Sequence, residues 1–258
     1  MPVIGSDTEQ HASPTGNYGY SAAKMEDLGA SEYTLVTIVC DASHSVSTFK
    51  DDLEATLAKI VEACKKHPRS DNLMIRLVQF GTQNQSSRIK DIHEIHGFKL
   101  LSQIGDDDYD GCINLGVFTP LYDGVENSVA ATSDWARQLD ENDFTVNAVI
   151  YILTDGRENR SQSGIGEVCE SLQKAMTDED APLESLITIL IGVNIEDTIV
   201  SDDLSRFKDE AGLTQFIEVK KADAKTLAKL GDFISHSISA ISTSLGTGTP
   251  SQPVSLTI

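Results

Sequence analysis

The feature that most constrains this chain is the stretch Thr34-Leu35-Val36-Thr37-Ile38-Val39-Cys40-Asp41-Ala42-Ser43-His44-Ser45-Val46-Ser47. Leu35 to Cys40 is a largely apolar run rich in β-branched residues, the pattern of a parallel strand buried on both faces. It stops at an acid, followed by two hydroxyls spaced two apart. Such a strand delivers its last residue to the carboxyl edge of a sheet, where open α/β folds take their ligands. Asp41, Ser43 and Ser45 offer only hard oxygens there, the ligand type of Mg²⁺, Ca²⁺ or Mn²⁺.

Downstream, strand patterns alternate with helix patterns. Helices are expected over residues 47–66 (Ser47 as N-cap, Pro68 as stop), 121–139, 165–176, 202–211 and 224–241. Strands are expected over residues 73–80, 147–154, 186–193 and 215–219, with 89–101 as an antiparallel edge strand. That order predicts a Rossmann-like, doubly wound α/β fold, with a mainly parallel sheet, one antiparallel edge strand and helices on both faces. His93 and His96, three apart on a strand, point to opposite faces and do not share a metal. The acidic loop Gly105 to Gly111 lacks the spacing of a twelve-residue calcium loop.

Asp-x-Ser-x-Ser at a strand end resembles the first metal-binding element of the von Willebrand factor A family, in its single-domain bacterial and phage form. The resemblance implies a threonine in a loop before a helix and an aspartate closing another apolar strand. Phe118-Thr119-Pro120-Leu121 supplies Thr119, and Val149-Ile150-Tyr151-Ile152-Leu153-Thr154-Asp155-Gly156 supplies Asp155. It covers residues 33–245. Carried over residue by residue, it makes Asp41, Ser43, Ser45, Thr119 and Asp155 the ligands of a metal-ion-dependent adhesion site holding Mg²⁺, or Mn²⁺ or Ca²⁺. Two carboxylates only balance a divalent ion, which retains appetite for one further anionic oxygen, such as a partner's Asp or Glu. The implied function is a non-enzymatic adaptor or scaffold that docks an acidic side chain through the cation. Proteins of this type are often found beside AAA+ ATPases or Ser/Thr kinases and phosphatases, which become implied partners. His44 departs from the small glycine usual between the two serines, and the loop before Thr119 has fewer glycines than usual.

The competing class is a metal-dependent phosphatase or hydrolase on a similar sheet, with Asp41 as nucleophile and Asp155 as metal ligand. Ser43 stands where such enzymes want a second acid, and no phosphate-cradling glycine loop is present.

Composition bounds the rest. At 258 residues, with 40% hydrophobic and 23% charged residues, one large α/β domain is expected. A net charge of −20 works against nucleic acid and anionic membranes as partners. No stretch approaches the roughly 20 apolar residues of a membrane helix, and the start lacks a signal-peptide pattern, so a cytoplasmic protein is expected. Four widely spaced cysteines read as reduced thiols. Residues 1–30 read as a polar extension, 31–245 as the domain, and 246–258 as a flexible tail. The tail's alternating end, Val254, Leu256 and Ile258, reads as a strand that pairs with a sheet edge, on its own domain or on a neighbour, the latter giving self-assembly.

Overall fold

A computed structural model describes residues 7–12, 19–81, 92–177 and 181–255. The strands are β1 (Thr8–Ala12), β2 (Gly19–Ala23), β3 (Glu32–Asp41), β4 (Leu73–Phe80), β5 (Ile92–Leu100), β6 (Thr145–Thr154), β7 (Leu186–Val193) and β8 (Gln215–Val219). The helices are α1 (Lys50–Lys65), α2 (Leu121–Asp140), α3 (Ile165–Thr177), α4 (Thr198–Ala211) and α5 (Ala224–Thr247). All eight strands form one sheet in the order β1-β2-β5-β4-β3-β6-β7-β8.

The apolar run Leu35 to Cys40 lies in β3, at the centre of the sheet. β3 pairs in parallel with β4 on one side and β6 on the other. Its alternate residues serve two cores. Val36, Ile38 and Cys40 meet α1 and α5 with Leu57, Ile60, Leu230 and Ile234. Val39 meets the opposite layer of α2, α3 and α4, with Val125, Leu172 and Phe207. Helices on both faces explain why β3 shows no polar alternation. The expected core positions of α2, Leu121, Val125, Val129 and Trp135, are all buried.

Three expectations are corrected. First, β5 is antiparallel to β4 but is not the edge, because β2 pairs beyond it in parallel and β1 follows antiparallel. Strands β1 and β2 lie within the residues read as a polar extension. They went unrecognised because β2 buries small residues, Ser21, Ala22 and Ala23, beside a single aromatic, Tyr20. Only Ala22↔Phe98 is in ladder register between β2 and β5, and side chains do the rest. Buried Arg76 pairs with Glu94 at 2.7 Å. Glu94 in turn accepts from the Ser21 amide at 2.9 Å and the Ser21 hydroxyl at 2.5 Å. A Cβ on Gly97 would sit 2.0 Å from the Ser21 carbonyl oxygen, so only glycine lets the two backbones meet.

Second, Ser47 does not cap α1. Residues His44–Thr48 form a 3₁₀ turn and Phe49 precedes the helix with no side-chain cap.

Third, α5 runs to Thr247 and closes on Gly248 at φ 64°, six residues beyond the expected end. Hydroxyls of Ser239, Thr243, Ser244 and Thr247 donate to carbonyls four residues earlier. A composition that reads as linker therefore stays helical on a buried face that includes Ile241 and Ser242. Beyond it the tail folds back onto its own domain. The Ser251 hydroxyl accepts from the Asn147 amide at 3.3 Å, the Ser185 hydroxyl donates to it at 2.9 Å, and Val254 packs on the core. No strand forms over residues 250–255, and the remainder of the expected apolar stripe, Leu256 and Ile258, lies outside the described residues.

His96 is buried, with Nδ1 2.9 Å from the Gly97 carbonyl and Nε2 3.0 Å from the Tyr109 hydroxyl. In the acidic loop Asp106 pairs with Lys65 at 3.0 Å and Asp108 with Lys99 at 3.6 Å. All four cysteines are free thiols.

Candidate metal centre

β3 and β6 are parallel neighbours, so their last residues emerge side by side at the carboxyl edge, carrying Asp41 and Asp155 together. The Ser43 amide donates to Asp41 Oδ1 at 2.7 Å, folding the chain back over the strand end. That turn sets Ser43 Oγ 2.9 Å from Ser45 Oγ, and the Ser45 hydroxyl donates to Asp155 Oδ1 at 2.8 Å. Four of the five expected ligands thus form one connected group.

The fifth, Thr119, arrives on the long loop between β5 and α2. Its amide donates to Asn159 Oδ1 at 2.8 Å, and the Asn159 amide returns a bond to the Thr119 carbonyl at 3.2 Å. The Thr119 hydroxyl lies beside Gly156, where a Cβ would come within 3.8 Å of it. Thr119 thus joins the group through its approach to Gly156, the residue after Asp155.

Asp41 and Ser43 are buried while Ser45 and His44 are exposed, so the group opens to solvent on the serine side. Burial and then the negative charge of Asp155 push the Asp41 carboxyl up to about 6, against the hydrogen bonds it receives from Thr154 and Ser43. Burial also raises Asp155, opposed by its bond from Ser45. Two acids therefore share a site in which each ionised form is disfavoured.

Several residues that hold this arrangement are not legible as site residues in the sequence. The Thr154 hydroxyl donates to Asp41 Oδ2 at 2.7 Å, tying one strand end to the other. Glu54 on α1 accepts from the Ile113 amide at 2.8 Å and Gln79 accepts from the Asn114 amide at 2.9 Å. The Gly116 amide donates to the Ala42 carbonyl at 2.6 Å. Glu158 accepts from the Tyr122 amide at 3.0 Å and Asp123 from the Ser163 amide at 2.9 Å, fastening the loop after Asp155 to the start of α2. Thr154 alone carried a signal, its position immediately before the predicted ligand. Among the described residues, no group of three or more His, Cys, Asp or Glu side chains is disposed to hold a metal, so a site here depends on hydroxyls.

No protein-family model matches the sequence, and no curated protein matches it. Solved structures do. The pilus adhesin SpaC from Lactobacillus rhamnosus GG superposes with a TM-score of 0.61 at 9% identity, over 90% of this chain and 34% of the adhesin. Proximal thread matrix protein 1 from the mussel byssus superposes with a TM-score of 0.52 at 18% identity, over 81% of this chain and 47% of that protein. A form of the same byssus protein with a zinc-occupied MIDAS motif gives 0.50 at 18% identity, over 82% and 47%. The chain spans about a third to a half of the length of these structures. At such identities the likeness is one of fold. No helix among the described residues is long and apolar enough to cross a membrane.

Proposed function

The chain has a von Willebrand factor A-like fold, and from that premise we propose that it is a metal-ion-dependent protein-interaction module rather than an enzyme. The observation that carries the reading is the convergence at the sheet's carboxyl edge. Asp41, Ser43, Ser45 and Asp155 are joined by bonds of 2.7–2.9 Å, with Thr119 alongside. Two carboxylates and three hydroxyls fit a hard divalent cation of the Mg²⁺ or Mn²⁺ type. A cation there also offsets the burial, and the charge of Asp155, that raise Asp41. Asp41 and Asp155 would supply charge, with Ser43, Ser45 and Thr119 as neutral donors. When bound, the ion would offer a coordination position to a carboxylate of another protein. The byssus protein of similar fold has a zinc-occupied MIDAS motif, which supports a divalent metal as the ligand.

The test is thermal unfolding with and without metal. Wild-type protein gains melting temperature with added Mg²⁺ or Mn²⁺ by mass action. Asp41→Ala loses that gain, and in chelator it is at least as stable as wild type, because the removed carboxylate was disfavoured where it lay. Equal metal-induced shifts in both proteins would sink the site. Mg²⁺-dependent turnover of a phosphate ester, abolished by Asp41→Asn, would instead support the enzyme reading.

A further inference from the structure

Both backbone polar groups of Thr119 go to one residue, Asn159, four places after Asp155. Asn159 Oδ1 accepts from the Thr119 amide at 2.8 Å, and the Asn159 amide donates to the Thr119 carbonyl at 3.2 Å. The side-chain oxygen thus stands in for the carbonyl that a neighbouring strand would offer. Pro120 restricts Thr119 to extended backbone, so its conformation is preset and Asn159 fixes its position. This contact belongs to a longer seam. Pro120 gives α2 no side-chain cap, and the first amides of a helix need acceptors from elsewhere. The loop after Asp155 supplies them. Glu158 Oε2 accepts from the Tyr122 amide at 3.0 Å, and the Ser161 hydroxyl accepts from the Asp123 amide at 3.1 Å. Asp123 in turn accepts from the Gln162 and Ser163 amides at 3.0 and 2.9 Å. The Arg160 guanidinium lies 5.1 Å from the ring centroid of Phe118. Residues 118–123 are therefore stitched along residues 158–163. Of these polar contacts, those of Asn159 are made to Thr119 itself.

We propose that Asn159 is a positioning residue of the metal site. It is not itself a ligand. By fixing the Thr119 backbone against the loop that follows Asp155, it presents the Thr119 hydroxyl to the cation already in place, and so sets the affinity of the site. Thr119 and Asp155 then reach the ion as one prearranged unit, although they are far apart in sequence and lie on different loops. Partners that orient a metal ligand typically change metal affinity about 10–100-fold when removed. The inference rests on the metal reading above and names the residue that controls the same site.

The test is calorimetric titration of the full chain with Mg²⁺ and with Mn²⁺, beside amide hydrogen exchange in chelator. Asn159→Ala should bind the ion about tenfold more weakly or worse, and its Thr119 amide should exchange faster than that of wild type with no metal present. Asn159→Asp keeps the acceptor, so it should retain slow exchange at Thr119 and bind the ion at least as tightly as wild type. Thr119→Val removes the hydroxyl and leaves the backbone. In that background Asn159→Ala should cost little further affinity, because the group it positions is gone. Equal affinity of Asn159→Ala and wild type, a loss in Asn159→Asp as large as in Asn159→Ala, or an equal loss with and without the Thr119 hydroxyl would overturn the positioning role and leave the ion site standing. An unprotected Thr119 amide in wild type would do the same. Absence of metal binding by wild type would overturn both.

Discussion

His96 shows how one buried side chain couples packing to pH. Burial holds its imidazole down at about 4, with the Lys99 charge adding to the effect and the Gly97 carbonyl opposing it. The folded protein therefore keeps His96 neutral where the unfolded chain, at its ordinary value of 6.5, takes up a proton. A base lowered on folding contributes stability that is present above about 6.5 and lost as pH falls towards 4. The full loss is on the order of 3 kcal/mol. Chelator-treated wild type should lose stability over that window more steeply than His96→Gln, measured by urea unfolding at each pH. Parallel profiles would show that His96 protonates equally in both states. At the same scale, Asp41 has the opposite sense: its raised carboxyl makes the ionised site a cost until a cation is present.

The β1–β2 hairpin is the element whose attachment depends least on its own ladder. Its register with β5 is a single pair, and the Arg76–Glu94–Ser21 network carries the rest. Removing one partner of such a buried pair leaves the other charge uncompensated, which is costly. Gly97 controls the same junction by steric means. Gly97→Ala places a methyl carbon 2.0 Å from the Ser21 carbonyl oxygen, so β2 must move away. The expected cost is about 1–3 kcal/mol or more, with faster hydrogen exchange at residues 20–22 and an unchanged metal-induced melting shift. Native-like exchange in that variant would mean that the hairpin is not held at this point.

Across the whole molecule the two poles of the sheet have separate tasks. The proposed metal site lies at the carboxyl ends of β3 and β6. The opposite pole is closed by the end of α5 and the tail, through Asn147 near the start of β6, Ser185 just before β7, and Arg69 bridging Glu32 and Ser242. Deleting residues 250–258 should therefore lower the melting temperature by roughly 2–4 °C, as expected for ~1 kcal/mol in a domain of this size. It should leave the metal-induced shift intact. A lost shift would mean that the tail acts at the other pole, contrary to its seat on Asn147 and Ser185.

What the sequence determined by itself was whatever repeats locally. Short unbroken β-branched runs read as strands covered on both faces, and long amphipathic stretches of helical period between them read as helices. The fold class followed, and so did the oxygen-rich strand end at Asp41, Ser43 and Ser45. Tertiary structure alone decided what depends on meeting a distant residue. The hairpin joined the sheet because Glu94 and Gly97 received it, α5 outran its linker-like composition because Ser242 lies on a buried face, and Ser47 lost its cap to a 3₁₀ turn. The neighbours of the site, Thr154, Asn159, Glu54 and Gln79, come from four different elements or loops. Their roles are set by which amide or carboxylate each happens to face, and no periodicity along the chain encodes that.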